Sequence, residues 1–115
     1  MTRWLVLVLA LALSACGGKS PPPSAPAKDA VAAFHDILAP LWHAEEGPQR
    51  VRDTCNAVAE MQTRAQAVAD ARKDQASASL VQAVTELAKE CGGSQAEFPE
   101  KLAAVHEAFH AVSGQ

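Results

Sequence analysis

Four segments of this chain carry apolar residues at helical spacing, and each is bounded by glycine, proline or a short polar break. Apolar residues that recur every three or four positions form one face of an α-helix, which must be buried against a neighbour. The predicted helices run from Ala30 to about Glu46, from Pro48 to Arg72, from Gln75 to Cys91 and from Glu97 to Ser113. Alanine is abundant and tyrosine is absent, which favours closely packed helices over sheets. The short links predict an all-α, up-down-up-down four-helix bundle.

The ends and faces of these helices carry further signals. Asp29 is the predicted N-cap of the first helix, Gly47 and Pro48 separate it from the second, and Gly92 follows the third. Pro40 lies inside the first helix, where it removes a backbone hydrogen bond, so a kink or break is expected there. The predicted core positions are Val31, Phe34, Leu38, Leu41, Trp42, Val51, Cys55, Val58, Ala65, Val68, Ala69, Leu80, Val84, Leu87, Cys91, Phe98, Leu102, Val105, Phe109 and Val112.

Two of the three cysteines are placed symmetrically about a turn. Cys55 lies eighteen residues before Lys73 and Cys91 eighteen residues after it, and Lys73 is the middle residue of the polar break Arg72-Lys73-Asp74. An antiparallel hairpin that turns there brings both cysteines to the same height, and a disulfide is expected in an oxidising compartment. Such a bridge stabilises a small domain by about 3–4 kcal/mol in the chain-entropy description. The alternative, a pair of reactive or metal-binding thiols, lacks a neighbouring cysteine for a CxxC motif.

The N-terminal residues have the pattern of an export signal. Arg3 supplies a positive charge, residues 4–13 form an uninterrupted apolar run, and Leu13-Ser14-Ala15-Cys16 overlaps its end. The run is too short for a stable transmembrane helix and suits the apolar region of a signal peptide. Together these features resemble the signal peptide and lipobox of bacterial lipoproteins. The resemblance implies that residues 1–15 are removed and that Cys16 carries a diacylglyceryl group and an amide-linked acyl chain such as palmitate.

The lipoprotein resemblance also implies a location. Lipid chains anchor a protein to a membrane without spanning it, so the domain is expected in the bacterial cell envelope, facing the periplasm. Gly17 rather than Asp follows the cysteine, which in enterobacterial lipoproteins implies the outer membrane. Residues 16–28 contain only Cys, Gly, Lys, Ser, Pro and Ala and predict an extended tether. The bundle domain is assigned to residues 29–115.

Charge and motif content argue against two classes of function. Lys and Arg number 10 against 13 Asp and Glu, and the net charge is −3. There is no basic cluster or basic helix face, so nucleic-acid binding is not expected. The sequence has no phosphate loop, no nucleophile elbow and no HExxH motif, so it is not predicted to be an enzyme.

All four histidines fall in the first and last predicted helices. His106 and His110 are one turn apart, a spacing at which two imidazoles can chelate one ion from a single helix. In the antiparallel bundle His35 comes level with residue 108, so these three form a candidate metal site. His43 lies about 12 Å further along a straight helix. It joins the others only if Pro40 bends the helix or the register shifts by one turn, and a solvated helix edge is the alternative for the whole set.

The types of ligand atom that remain limit which metal ions the site can bind. With the cysteines assigned to lipid and disulfide, imidazole and carboxylate remain, which suit Zn(II), Cu(II) or Ni(II). The nearby carboxylates are Asp36, Glu97, Glu100 and Glu107. Haem b is the alternative cofactor, because ligands on the first and last helices are similar to those of periplasmic four-helix cytochromes. No CxxCH motif is present, so haem would bind non-covalently through His35 and either His106 or His110.

Two short sequence patterns that contain the histidines show a second resemblance. Phe34-His35-x-x-x-x-Pro40-x-x-His43 and Val105-His106-x-x-Phe109-His110 resemble those of exported bacterial helical proteins without an assigned activity. The function predicted from the sequence is a lipid-anchored periplasmic bundle that binds a transition metal ion through His35, His106 and His110, with His43 as a further ligand, for sequestration or delivery. An envelope interaction module without a ligand is the remaining alternative.

Overall fold

Four α-helices form one bundle in the computed structural model, which describes residues 25–114. They are α1 (Ala25–His43), α2 (Pro48–Arg72), α3 (Gln75–Cys91) and α4 (Phe98–Ser113). Each helix packs against the next, and α1 closes the ring against α4 over a shorter contact. The predicted all-α four-helix bundle is confirmed. The signal peptide, the lipobox with Cys16 and most of the predicted tether lie outside the described residues.

The start of α1 differs from its sequence prediction. The helix begins at Ala25, so Asp29 lies inside it and is not its N-cap. Proline is tolerated in a first helical turn and alanine is the best helix former, so Ala25-Pro26-Ala27 is a favourable beginning. Ala27 is buried. Residues 25–28, which composition alone assigned to the tether, therefore belong to α1.

Pro40 does not break α1. The helix continues through it and ends at His43, and Pro40 itself is exposed, so its ring does not enter the core. The last carbonyls of a helix have no partner within the helix. Arg50 of α2 donates to two of them, from Nε to the Leu41 oxygen at 3.0 Å and from Nη2 to the Trp42 oxygen at 3.3 Å. This arginine fixes the corner between α1 and α2.

The two following helices begin with clear local signals. Gly47 precedes α2 with φ of 150°, a backbone conformation that residues with a Cβ rarely adopt. Asp74 caps α3 by accepting a hydrogen bond from the Ser77 N–H at 2.9 Å, and the Ser77 hydroxyl accepts one from the Asp74 N–H. The hydrogen bonds from Ser77, followed by the Arg72 guanidinium, lower the pKa of Asp74 from 3.8 to about 2.

The core follows the predicted apolar faces closely in α3 and α4. The buried apolar residues there are Leu80, Val84, Leu87, Phe98, Leu102, Val105, Phe109 and Val112. Phe34 and Leu38 are the buried predicted residues of α1. In α2 the fully buried Met61 was missing from the predicted core, although it precedes Ala65 and Val68 at helical spacing.

The predicted Cys55–Cys91 pairing is confirmed. The two sulfur atoms are bonded at 2.06 Å and the Cα atoms lie 5.5 Å apart, joining α2 to α3. The bridge lies at the end of the bundle that carries the α1–α2 and α3–α4 links. Between residues 25 and 114, no helix combines the length and apolar character needed to cross a bilayer.

Candidate metal-binding site

His106 and His110 form a close pair on α4. Their Nε2 atoms share a hydrogen bond at 3.0 Å, and the rings meet edge to face with centroids 4.3 Å apart. Both side chains are half-buried. The spacing of four residues places the rings one turn apart on the same side of the helix, beside the buried stripe that contains Val105 and Phe109.

Trp42 of α1 covers the His106 ring. The two rings are nearly parallel, at 9°, with centroids 3.9 Å apart. The Cα–Cβ bonds of a helix tilt toward its N-terminus. Because α1 and α4 run in opposite directions, Trp42 leans back along α1 while His106 leans back along α4, and the rings approach each other. The imidazole is thereby fixed from a neighbouring helix.

Arg50, near the start of α2, packs against the Trp42 ring. Its guanidinium carbon lies 5.1 Å from the centroid of the indole ring, within the range of a cation–π contact. The side chain is 10% exposed, and Nη1 lies 3.7 Å from a carboxylate oxygen of Glu46. Sequence analysis missed this residue, because an arginine in a helix gives no sign that it will reach the end of the preceding one.

Electrostatic surroundings favour the neutral form of His106. Burial lowers its pKa below the ordinary value of 6.5, the charges of His110 and then His43 lower it further, and Glu107 opposes them. Metal ions bind the neutral imidazole. His43 is exposed and is the last residue of α1.

His35 has different surroundings. Its side chain is 61% exposed, its ring centroid lies 5.9 Å from that of Phe109, and Nδ1 lies 4.0 Å from a carboxylate oxygen of Asp36. The neighbouring Phe109 agrees with the predicted level near residue 108. His35 lines a separate small pocket of about 450 Å³ that also includes Arg72.

The structure thus brings two of the four candidate ligands together. Across residues 25–114, no group of three or more His, Cys, Asp or Glu side chains is arranged to hold a metal ion. His106 and His110 supply two nitrogens, and a third protein ligand would require a movement of His43 or His35. Cys55 and Cys91 are unavailable as ligands because they are bonded to each other.

A cleft of about 860 Å³ lies between Trp42 and Leu102, and none of the described residues that line it is a histidine. Comparisons with protein-family models, curated proteins and solved structures give no match to this chain.

Proposed function

We propose that this chain is a lipid-anchored protein of the bacterial cell envelope whose bundle binds a transition metal ion through His106 and His110. The observation that carries the proposal is the approach of the two Nε2 atoms to 3.0 Å. With metal–nitrogen bonds of about 2.0–2.1 Å, two nitrogens on one ion are about 2.9 Å apart at a right angle and about 3.3 Å apart at a tetrahedral angle. The observed pair is close to both distances.

The surroundings of the pair support metal capture over a chance contact on a helix edge. Trp42 stacks on one ring and Arg50 contacts Trp42, so the first ligand is held by groups from two other helices. Ordered neighbours of this kind orient metal ligands and reduce the entropy lost on binding. His43 is the proposed third ligand, because it directly follows Trp42, the residue that stacks on His106. Water would complete the coordination of Cu(II), Ni(II) or Zn(II).

Export and anchoring rest on a separate set of features. The signal-like N-terminus and the lipobox imply a lipid on Cys16, and the Cys55–Cys91 disulfide is typical of an oxidising compartment such as the periplasm. Intact-mass measurement of chain extracted from membranes checks the anchor, with Cys16→Ser as the control. A mature chain without added acyl mass on Cys16 would contradict it.

Equilibrium dialysis of the untagged full chain against Cu(II), Ni(II) and Zn(II) tests the proposed site. The wild type and a His35→Ala variant are expected to retain one ion per chain, whereas the His106→Ala plus His110→Ala variant retains none. His43→Ala is expected to bind more weakly than the wild type. Metal at one hundred times its dissociation constant stabilises a folded chain by about 2.7 kcal/mol, so unfolding curves provide a second readout.

The matched control is His35→Ala, because it removes an imidazole from the same seam without changing the pair. Equal metal uptake by the wild type and the double variant would contradict the proposal. Loss of binding in His35→Ala alone would show that the site is centred elsewhere. A Soret band after haem addition that disappears with His35→Ala or the double variant would support haem b instead.

A further inference from the structure

The large cleft at one end of the bundle has the features of a binding site for a small organic molecule. Its volume of about 860 Å³ falls in the range of ligand pockets, about 300–1,000 Å³. Phe98 and Leu102 are almost completely buried and form part of its lining, together with the half-buried Trp42 and Val51. A ligand with an apolar body would therefore contact apolar side chains from three helices.

The rim of the cleft carries an uncompensated positive charge. Arg50 and Glu46 both line it and form an ion pair at 3.7 Å. Arg52 lines it as well and donates to the Gln49 side-chain oxygen at 2.8 Å. In the part of the chain that the structure describes, Arg52 has no carboxylate at ion-pair distance. The charge stands out because the chain as a whole carries −3.

Two connections hold the walls of the cleft in place. Cys55 is part of the lining and is bonded to Cys91, which fixes α2 to the end of α3. Arg50 donates to the last carbonyls of α1, which fixes α2 to the residues around Trp42. A cleft with fixed walls loses little entropy when a ligand enters.

We propose that this cleft binds an amphiphilic organic anion of the size of a medium-chain carboxylate. The apolar chain lies against the half-buried Trp42 and Val51, above the buried Leu102, and the carboxylate accepts charge-assisted hydrogen bonds from Arg52. The described residues of the lining include no histidine, so the anion would bind beside the proposed metal pair, with Trp42 between the two sites.

Calorimetric titration of the full chain with decanoate and with decan-1-ol tests this site. Removal of a charged donor should weaken carboxylate binding by about tenfold or more. Arg52→Gln is therefore expected to weaken decanoate binding by that factor and to leave decanol binding unchanged. Ala103→Trp, which places a large ring in the cleft, is expected to abolish binding of both. Lys28→Gln, which removes a positive charge at the other end of α1, is the control and binds as the wild type does.

Several results would overturn the proposal. Decanoate binding by Arg52→Gln equal to that of the wild type would exclude the arginine as the anion ligand. Binding unaffected by Ala103→Trp, in a variant with a wild-type unfolding curve, would place the ligand elsewhere. A wild-type dimer that Ala103→Trp converts to monomer would show that a second copy covers the cleft. If Ala103→Trp does not fold, the Arg52→Gln and Lys28→Gln titrations decide the question.

Discussion

The α2–α3 and α1–α4 seams of the bundle are held together by different means. A covalent bond joins α2 to α3, and fully buried residues such as Met61 and Leu87 come from these two helices. Between α1 and α4 the contact is shorter and depends on rings, with Phe34 stacked on Phe109 at 5.5 Å and Trp42 on His106 at 3.9 Å. Aromatic pairs contribute about 0.5–1.5 kcal/mol each beyond their burial, against about 4 kcal/mol for a disulfide that closes a loop of this length.

This difference explains where the candidate metal site lies. A metal site needs polar side chains that are close to water and held in place, and ring contacts at a partly exposed seam provide both. The α1–α4 seam provides His106 and His110 half-buried, with His43 nearby. The α2–α3 seam provides the covalent bond and tight core packing against which the rest of the bundle is fixed.

Removing the disulfide should produce the largest effect. A Cys55→Ala plus Cys91→Ala variant is expected to lose about 4 kcal/mol of unfolding free energy. The reason is that the denatured variant lacks the cross-link between two positions 36 residues apart in the sequence. Denaturant unfolding of the oxidised wild type and the variant measures this loss. A loss below 1 kcal/mol would show that the two seams differ less in strength than their chemistry indicates.

Removing the indole at the other seam should have a smaller effect. Trp42→Leu is expected to lose about 1–2 kcal/mol of unfolding free energy, because the stack on His106 and the Arg50 contact disappear. Since burial is the main cause of the lowered pKa of His106, exposing the ring to water should raise that pKa toward 6.5.

Imidazole NMR titration measures the second part of this prediction. Trp42→Phe is the matched control, since it keeps a ring over His106. An unchanged His106 titration in Trp42→Leu would show that the indole does not shield this ring from water.

The smallest expected effect is at the α2–α3 turn. Asp74→Ala should lower the unfolding free energy by about 1 kcal/mol at neutral pH, because the N-cap hydrogen bond is lost. Asp74→Asn should keep most of the capping stability, because asparagine is also a good N-cap residue. Because the folded chain lowers the pKa of Asp74 from 3.8 to about 2, the charge contributes stability above about pH 4 that is lost as the pH falls toward 2. The difference between wild type and Asp74→Asn in urea unfolding should shrink over this interval. A constant difference from pH 7 to pH 2 would contradict this linkage.

The accuracy of the sequence predictions follows the range of the interactions involved. The ends of α2 and α3 were predicted correctly because Pro48, Asp74 and the residues after Cys91 act on their own helix ends. The start of α1 was placed too late, because proline and alanine occur both in a tether and in a first helical turn. The burial of Ala27 distinguishes them, and it depends on the rest of the bundle.

The histidines show the same limit. The i, i+4 spacing of His106 and His110 indicated a shared face, and the structure places their Nε2 atoms 3.0 Å apart. The spacing did not indicate which groups of α1 meet this part of α4. Trp42 stacks on His106, whereas His35 lies beside Phe109.

By itself, the sequence determined the helical class, the number of helices, the disulfide pairing and the pairing of two histidines on one helix. These follow from periodicity, turn residues and symmetric spacing, which act over short distances or through a simple hairpin. Only the tertiary structure decided that Trp42 covers His106, that Arg50 supports Trp42 and that a charged cleft opens beside them. Those contacts depend on how helices of opposite direction lean toward each other, which no local pattern specifies.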